Sequence, residues 1–188
     1  MSSSHREQRL CLYDGQELQA ILTTMALQAA ALLPPGKAAL VGILRRGEPL
    51  ARLLQERMVQ LTGRPLVPLY SLHVKRYADD LSLLHADTLL SENPQLAALP
   101  LRTTPLLVVD DVLYEGHSLL RTCAYLAQLG AQEIRTAVLV DRQVCKQPVH
   151  ADIVGVRLQI APGDIIECNV PPYEAQLQID LLRRGAYH

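Results

Sequence analysis

The sequence predicts an α/β fold, in which a mostly parallel central sheet is covered by helices on both faces. Short apolar runs alternate along the chain with longer amphipathic segments, which is the pattern of β-strands joined by crossover helices. The apolar runs lack polar alternation, as is typical of parallel strands that are buried on both faces. The length of 188 residues suits one domain, so we expect residues 1–188 to form a single unit.

The composition excludes several classes of protein. With 49% hydrophobic and 20% charged residues, the chain is not disordered, and no apolar run reaches the roughly 18 residues of a membrane span. The formal net charge of −1 gives no overall attraction to nucleic acid, so an RNA contact would need a local basic patch. Because the chain has no membrane-length apolar run and no net positive charge, we also expect no membrane partner.

The amino-terminal segment and the cysteines predict the compartment. Residues 1–9 are polar and lack the apolar core of a signal peptide, and we expect them to be flexible. The four cysteines lie far apart, with neither metal-ligand spacing nor a disulfide pattern. These features predict reduced thiols and a cytoplasmic protein.

The first half of the chain predicts two helices and two strands. Asp14 and Glu17 have the spacing of a capping box, and apolar residues then recur at helical spacing. The predicted elements, in chain order, are a helix at 14–33, a strand at 38–43, a helix at 47–63 and a strand at 66–72.

The second half continues the alternation after a long irregular stretch. Residues 73–105 show little periodicity and are broken by Pro94 and Pro100, so we expect a lid loop rather than packed structure. A buried strand at 106–109 then leads into a helix that begins at about Ser118. Further strands are predicted at 134–140, 153–158, 164–170 and 176–182. We expect the tail from Ile160 to pack against the sheet edge or an oligomer interface.

The segment after the 106–109 strand carries the strongest functional signal. Ligands of parallel sheets bind at the carboxyl ends of the strands, where this sequence places Asp110 and Asp111. Two carboxylates suit the hydroxyls of a sugar, directly or through Mg²⁺. The following turn leads into a helix whose first N–H groups have no helical partner and can hold a phosphate. The pattern therefore predicts a site for a sugar phosphate, with the phosphate held by Glu115, Gly116, His117 and Ser118.

Residues 106–118 resemble a known signature. The run Asp-Asp-Val-Leu-Tyr, followed by x-Gly-x-Ser, is similar to the phosphoribosyl diphosphate (PRPP) motif of type I phosphoribosyltransferases. It resembles in particular the bifunctional pyrimidine operon attenuator/uracil phosphoribosyltransferase family. Segments similar to four further blocks of that family occur in the same order, at 40–52, 77–82, 138–142 and 151–155. The resemblance implies the phosphoribosyltransferase fold, with a lid loop and a small hood beside the main sheet.

The resemblance also implies an activity. The family transfers the phosphoribosyl group of PRPP to a nucleobase such as uracil, releases pyrophosphate and requires Mg²⁺. By resemblance, Asp110 and Asp111 hold the ribose hydroxyls and, indirectly, the metal ion, and Arg46 neutralises the leaving group. Further implied contacts are Arg45, Arg46 and Gly47 to pyrophosphate, Lys75, Arg76, Asp79 and Asp80 in the lid, and Asp141 and Arg142 on the nucleobase side. We expect a homodimer or a larger homo-oligomer.

The chain departs from the family pattern in three places. Glu115 and Arg45 each replace a usual Thr, and residues 143–147 do not match the family's Gly-His-Arg-Glu-Leu run. A carboxylate beside the phosphate is repulsive, so Glu115→Thr is expected to tighten PRPP binding. Three hypotheses stay open: an active transferase, a nucleotide-responsive RNA-binding regulator of pyrimidine genes, and a homologue that binds a phosphorylated ligand without turnover.

Overall fold

In the computed structural model, which describes residues 8–74, 90–91 and 93–183, the chain forms two sheets and four helices. The strands, in chain order, are β1 (Gln8–Tyr13), β2 (Ala39–Leu44), β3 (Leu69–Val74), β4 (Leu90–Ser91), β5 (Leu106–Leu113), β6 (Ile134–Asp141), β7 (Ile153–Arg157), β8 (Ile165–Asn169) and β9 (Gln178–Arg183). The helices are α1 (Gly15–Leu32), α2 (Gly47–Thr62), α3 (Pro94–Ala97) and α4 (His117–Gln128).

The larger sheet has the strand order β4-β3-β2-β5-β6-β7. Its five longer strands run parallel, and only β4 is antiparallel to its neighbour. The predicted fold class is therefore confirmed. The central strand β5 begins with four residues that are fully buried, Leu106, Leu107, Val108 and Val109, as the unbroken apolar run predicts.

Helices cover both faces of this sheet. Because side chains alternate along a strand, Leu107 and Val109 pack beneath α1 and α2, whereas Leu106 and Val108 pack beneath α4. None of the described helices combines the length and the apolar character that a membrane crossing would need.

Local signals set the helix ends. The capping box at the start of α1 forms as predicted: Asp14 Oδ1 accepts a hydrogen bond from the Glu17 N–H, and Glu17 Oε2 accepts one from the Asp14 N–H, both at 2.9 Å. At the end of α2, Gly63 adopts a left-handed conformation with φ 66° and donates to the Val59 carbonyl.

The smaller sheet has the order β1-β9-β8 and is antiparallel. We call this sheet, together with the loops that precede β8 and join β8 to β9, the hood. The expectation that residues 1–9 are flexible is wrong for Gln8 and Arg9, which lie in β1 and pair with β9. Arg9 stabilises the pairing by ion pairs to Asp180 at 2.7 Å and Glu167 at 2.8 Å. Residues 1–7 lie outside the described part of the chain.

Parts of the stretch predicted as a lid loop, residues 73–105, form regular structure. Strand β3 extends to Val74, and α3 begins after Asn93, whose side chain caps the helix and also donates to the Ser71 carbonyl. Pro94 occupies the first turn of α3, where proline is favoured, and Leu96 is fully buried. The proline was therefore a helix start and not a loop signal. The predicted lid residues Lys75, Arg76, Asp79 and Asp80 lie outside the described residues.

Candidate active site

A cavity of about 850 Å³ lies at the carboxyl end of the parallel strands. This is the edge at which ligands bind in sheets of this kind. Six of the residues singled out from the sequence line it: Arg45, Arg46, Asp110, Asp111, Ser118 and Arg142. The hood closes one side with Pro162, Gly163, Asp164, Ile165 and Ile166, which the sequence patterns did not identify.

The two neighbouring aspartates lie inside β5 rather than beyond its end. The strand continues to Leu113, so Asp110 and Asp111 point to opposite faces, and Asp110 is only 7% exposed. Each carboxylate accepts a hydrogen bond of 2.9 Å from the next backbone N–H in the chain. These bonds fix the orientation of both side chains at the cavity. Two carboxylates fit the way in which Mg²⁺ is commonly held, by one or two acidic residues together with substrate oxygens.

Gly116 shapes the turn between β5 and α4. It has φ 90°, a conformation that favours glycine, and an added Cβ would lie 2.5 Å from Cys145 Sγ. The turn brings the start of α4 to the cavity, where Ser118 belongs to the lining. The first N–H groups of the helix have no intrahelical acceptor, so this end favours an anion.

Glu115 turns toward Lys146. The Lys146 Nζ lies 2.6 Å from Glu115 Oε1, and the hydrogen bond raises the pKa of the lysine. His117 Nε2 lies 3.6 Å from the other carboxylate oxygen, and neither Glu115 nor His117 lines the cavity. The Glu115 carbonyl also accepts hydrogen bonds from the N–H groups of Lys146 and Gln147. Two departures from the family pattern, at 115 and in 143–147, are therefore in direct contact.

The loop between β2 and α2 consists of Arg45 and Arg46, and we call it the arginine loop. The Leu44–Arg45 peptide bond is cis. The guanidinium of Arg46 donates to Glu174 Oε1 from Nη2 at 2.6 Å and from Nε at 3.2 Å. This pairing raises the pKa of Arg46 and lowers that of Glu174. The guanidinium carbon of Arg45 lies 4.7 Å from the centre of the Tyr173 ring.

Gly47 allows this loop to approach β5. An added Cβ would collide with the carbonyl oxygen of Val109 and would lie 3.2 Å from Asp110 Cα. Because backbone atoms of the central strand occupy that space, a larger residue would push the arginine loop away from the aspartates.

Of the two residues predicted on the nucleobase side, only Arg142 lines the cavity. Arg142 lines the cavity and is 7% exposed, and its Nε is buried without a hydrogen-bond partner among the described residues. Burial lowers the pKa of Arg142, and the Tyr114 ring lies 5.1 Å from its guanidinium carbon. Asp141 does not line the cavity, and its Oδ1 accepts a hydrogen bond of 2.8 Å from the Gln143 N–H.

Comparisons with known proteins agree with this geometry. The model of the protein family described as "Phosphoribosyl transferase domain" matches residues 10–176 of this chain. The chain is 35% identical over 176 residues to the bifunctional protein PyrR of Elusimicrobium minutum, with 90% of this chain and 94% of the relative covered. It is 33% identical over 155 residues to the PyrR of Acetivibrio thermocellus, with 80% and 82% covered.

Solved structures show the same fold. A hypoxanthine phosphoribosyltransferase from Staphylococcus aureus superposes with a TM-score of 0.73 at 16% identity, covering 95% of this chain and 94% of its own. The enzyme of the same name from Trypanosoma cruzi, in complex with the product IMP, superposes with a TM-score of 0.70 at 16% identity over 100% of both chains.

Proposed function

The chain belongs to the phosphoribosyl transferase domain family, and from that premise we propose that it transfers the phosphoribosyl group of PRPP to a pyrimidine such as uracil. The observation that supports this proposal is one cavity lined by two carboxylates of β5, the start of α4 and the arginine loop. A sugar that carries a phosphate at one end and a diphosphate at the other needs these three groups together.

The reaction forms a bond between a base nitrogen and C1 of the ribose while the bond to pyrophosphate breaks, and the proton of that nitrogen passes to solvent or to the departing pyrophosphate. Negative charge grows on the departing pyrophosphate, so Arg46 and the backbone of the loop stabilise it where it develops. Asp110 and Asp111 hold the ribose hydroxyls and would help to hold Mg²⁺, and that ion would neutralise part of the diphosphate charge. The start of α4 binds the 5′-phosphate, and the remaining contribution is the alignment of the two substrates.

The base lies on the side of Arg142. A buried guanidinium whose Nε has no acceptor among the described residues is costly, and a carbonyl oxygen of the base supplies that acceptor. The neighbouring Tyr114 ring contributes an apolar and polarisable wall. A keto pyrimidine satisfies both features.

The test is calorimetric titration with PRPP, with and without Mg²⁺, followed by pyrophosphate release with a panel of pyrimidine and purine bases. We expect PRPP binding that strengthens with Mg²⁺ and release with a keto pyrimidine. Release with purines alone would overturn the base assignment. Binding without release on any base would favour the regulator or the ligand-binding homologue, and no binding of PRPP would overturn the proposal.

The pairing of Glu115 with Lys146 leads to a second prediction. Lys146→Met removes the lysine from a carboxylate near the phosphate, so PRPP binding is expected to weaken by about threefold, as for the loss of a partly exposed ion pair. Glu115→Thr removes the carboxylate and is expected to tighten binding slightly. The double variant is expected to bind like Glu115→Thr alone, and dissociation constants from calorimetry measure all three.

Lys37→Met, which removes an exposed lysine from the turn before β2, is the matched control. If Lys146→Met costs the same affinity in the Glu115→Thr background, then the lysine acts on the ligand itself and not through Glu115.

A further inference from the structure

The hood contacts both arginines of the loop after β2 through one short segment. This segment, residues 170–174, lies in the connection between β8 and β9, and its Tyr173 and Glu174 contact Arg45 and Arg46 respectively. No sequence motif marks this segment, and none of its residues lines the cavity. Its contacts with the arginine loop are therefore not explained by direct binding of the ligand.

Glu174 is fixed by its own backbone as well as by the arginine. Its Oε2 accepts a hydrogen bond of 2.9 Å from the Val170 N–H, while its Oε1 accepts both bonds from Arg46. The N–H groups of Tyr173 and Glu174 both point to the Val170 carbonyl, at 3.2 and 3.4 Å. Only a carboxylate offers two acceptor oxygens at this place, since a glutamine has one.

The pairing leaves part of the Arg46 guanidinium available. An arginine has five N–H donors in a planar fork, and Glu174 engages Nε and Nη2 only. The Arg46 side chain remains 33% exposed and lines the cavity. The carboxylate therefore restrains the arginine while its other donors remain available to an anion, and a restrained side chain loses less freedom on binding.

We propose that Glu174 is a positioning residue, which holds the Arg46 guanidinium in the orientation that binds a diphosphate group in the cavity. The inference rests on the proposed function, because it specifies how the hood serves the diphosphate end of the same site. The Tyr173 ring of the same segment contacts the neighbouring Arg45.

The test is the dissociation constant of inorganic pyrophosphate, with Mg²⁺ present, for the full chain and three variants. Glu174→Ala is expected to weaken binding by about tenfold, because Arg46 becomes free to leave the site. Arg46→Met is expected to weaken it at least as much. The double variant is expected to match Arg46→Met, because Glu174 has no route to the ligand once the guanidinium is gone.

A matched control is Glu167→Ala. It removes another hood carboxylate and its ion pair, to Arg9, away from the arginine loop, and is expected to leave pyrophosphate binding unchanged. Glu174→Gln, which keeps one acceptor and the size of the side chain, is expected to bind with intermediate strength and serves if the alanine variant does not fold.

Three outcomes would overturn the inference. Unchanged binding in Glu174→Ala would mean that Arg46 needs no support, and tighter binding would mean that the carboxylate competes with the ligand. Losses that multiply in the double variant would mean that Glu174 acts through the stability of the hood. If the unaltered chain binds neither pyrophosphate nor PRPP, the proposed function itself fails, which is a distinct result.

Discussion

Replacement of both Asp110 and Asp111 by asparagine is expected to abolish PRPP binding, with an affinity loss of at least about 100-fold, because two charge-assisted contacts are lost together. The fold is expected to persist. An asparagine oxygen can still accept the backbone hydrogen bonds that orient these side chains, and the exchange relieves the burial of a charge at position 110. Calorimetry with Mg²⁺ and thermal unfolding measure the two effects separately.

Glu133→Gln is the matched control for the aspartate pair. Glu133 is exposed, precedes β6 at the opposite end of the sheet from the cavity, and pairs only with Arg135 among the described contacts. Its replacement is expected to leave affinity unchanged. Retained PRPP affinity in the aspartate variant would exclude these carboxylates from the binding site.

The exchange Gly47→Ala is expected to lower the free energy of unfolding by about 2 kcal/mol, which is a typical cost of overpacking. It is also expected to weaken PRPP binding. The added methyl group collides with the Val109 carbonyl, and the backbone of a central strand cannot move away cheaply. The arginine loop must then shift relative to Asp110. Denaturant unfolding and PRPP titration of the same sample test the two consequences.

Gly163→Ala is the stability control for this exchange, because an added Cβ there meets no atom within 4 Å. It is expected to leave the free energy of unfolding nearly unchanged. Equal stability of the two variants would show that the loop tolerates displacement from β5.

The elements that the sequence predicts well are those specified by neighbouring residues. The capping box of α1 and the buried run of β5 depend on residues that are close in the chain, and both occur as predicted. The resemblance to the type I phosphoribosyltransferases also depends on contiguous motifs, and the family match over residues 10–176 confirms it.

The features that the sequence does not predict depend on contacts between distant parts of the chain. Strand β1 pairs with β9, so the polar Gln8 and Arg9 gave no local sign of a strand. In the same way Glu115 and Lys146 are separate departures in the sequence but one ion pair in space. Glu174 follows two prolines in a segment without periodicity, and only the approach of the hood brings it to Arg46.

The construction of the hood has a consequence for biosynthesis. Its first strand, β1, is synthesised well before its partner, β9, and can pair only after Gln178–Arg183 has been made. The parallel sheet, which ends at Arg157, can assemble before that point and would carry the aspartates in an unroofed cleft. The β1 segment therefore stays without its β9 partner while every other described element of the fold is synthesised. Of the described strands β9 is made last, and its pairing with β1 and β8 completes the hood that carries Glu174 beside Arg46.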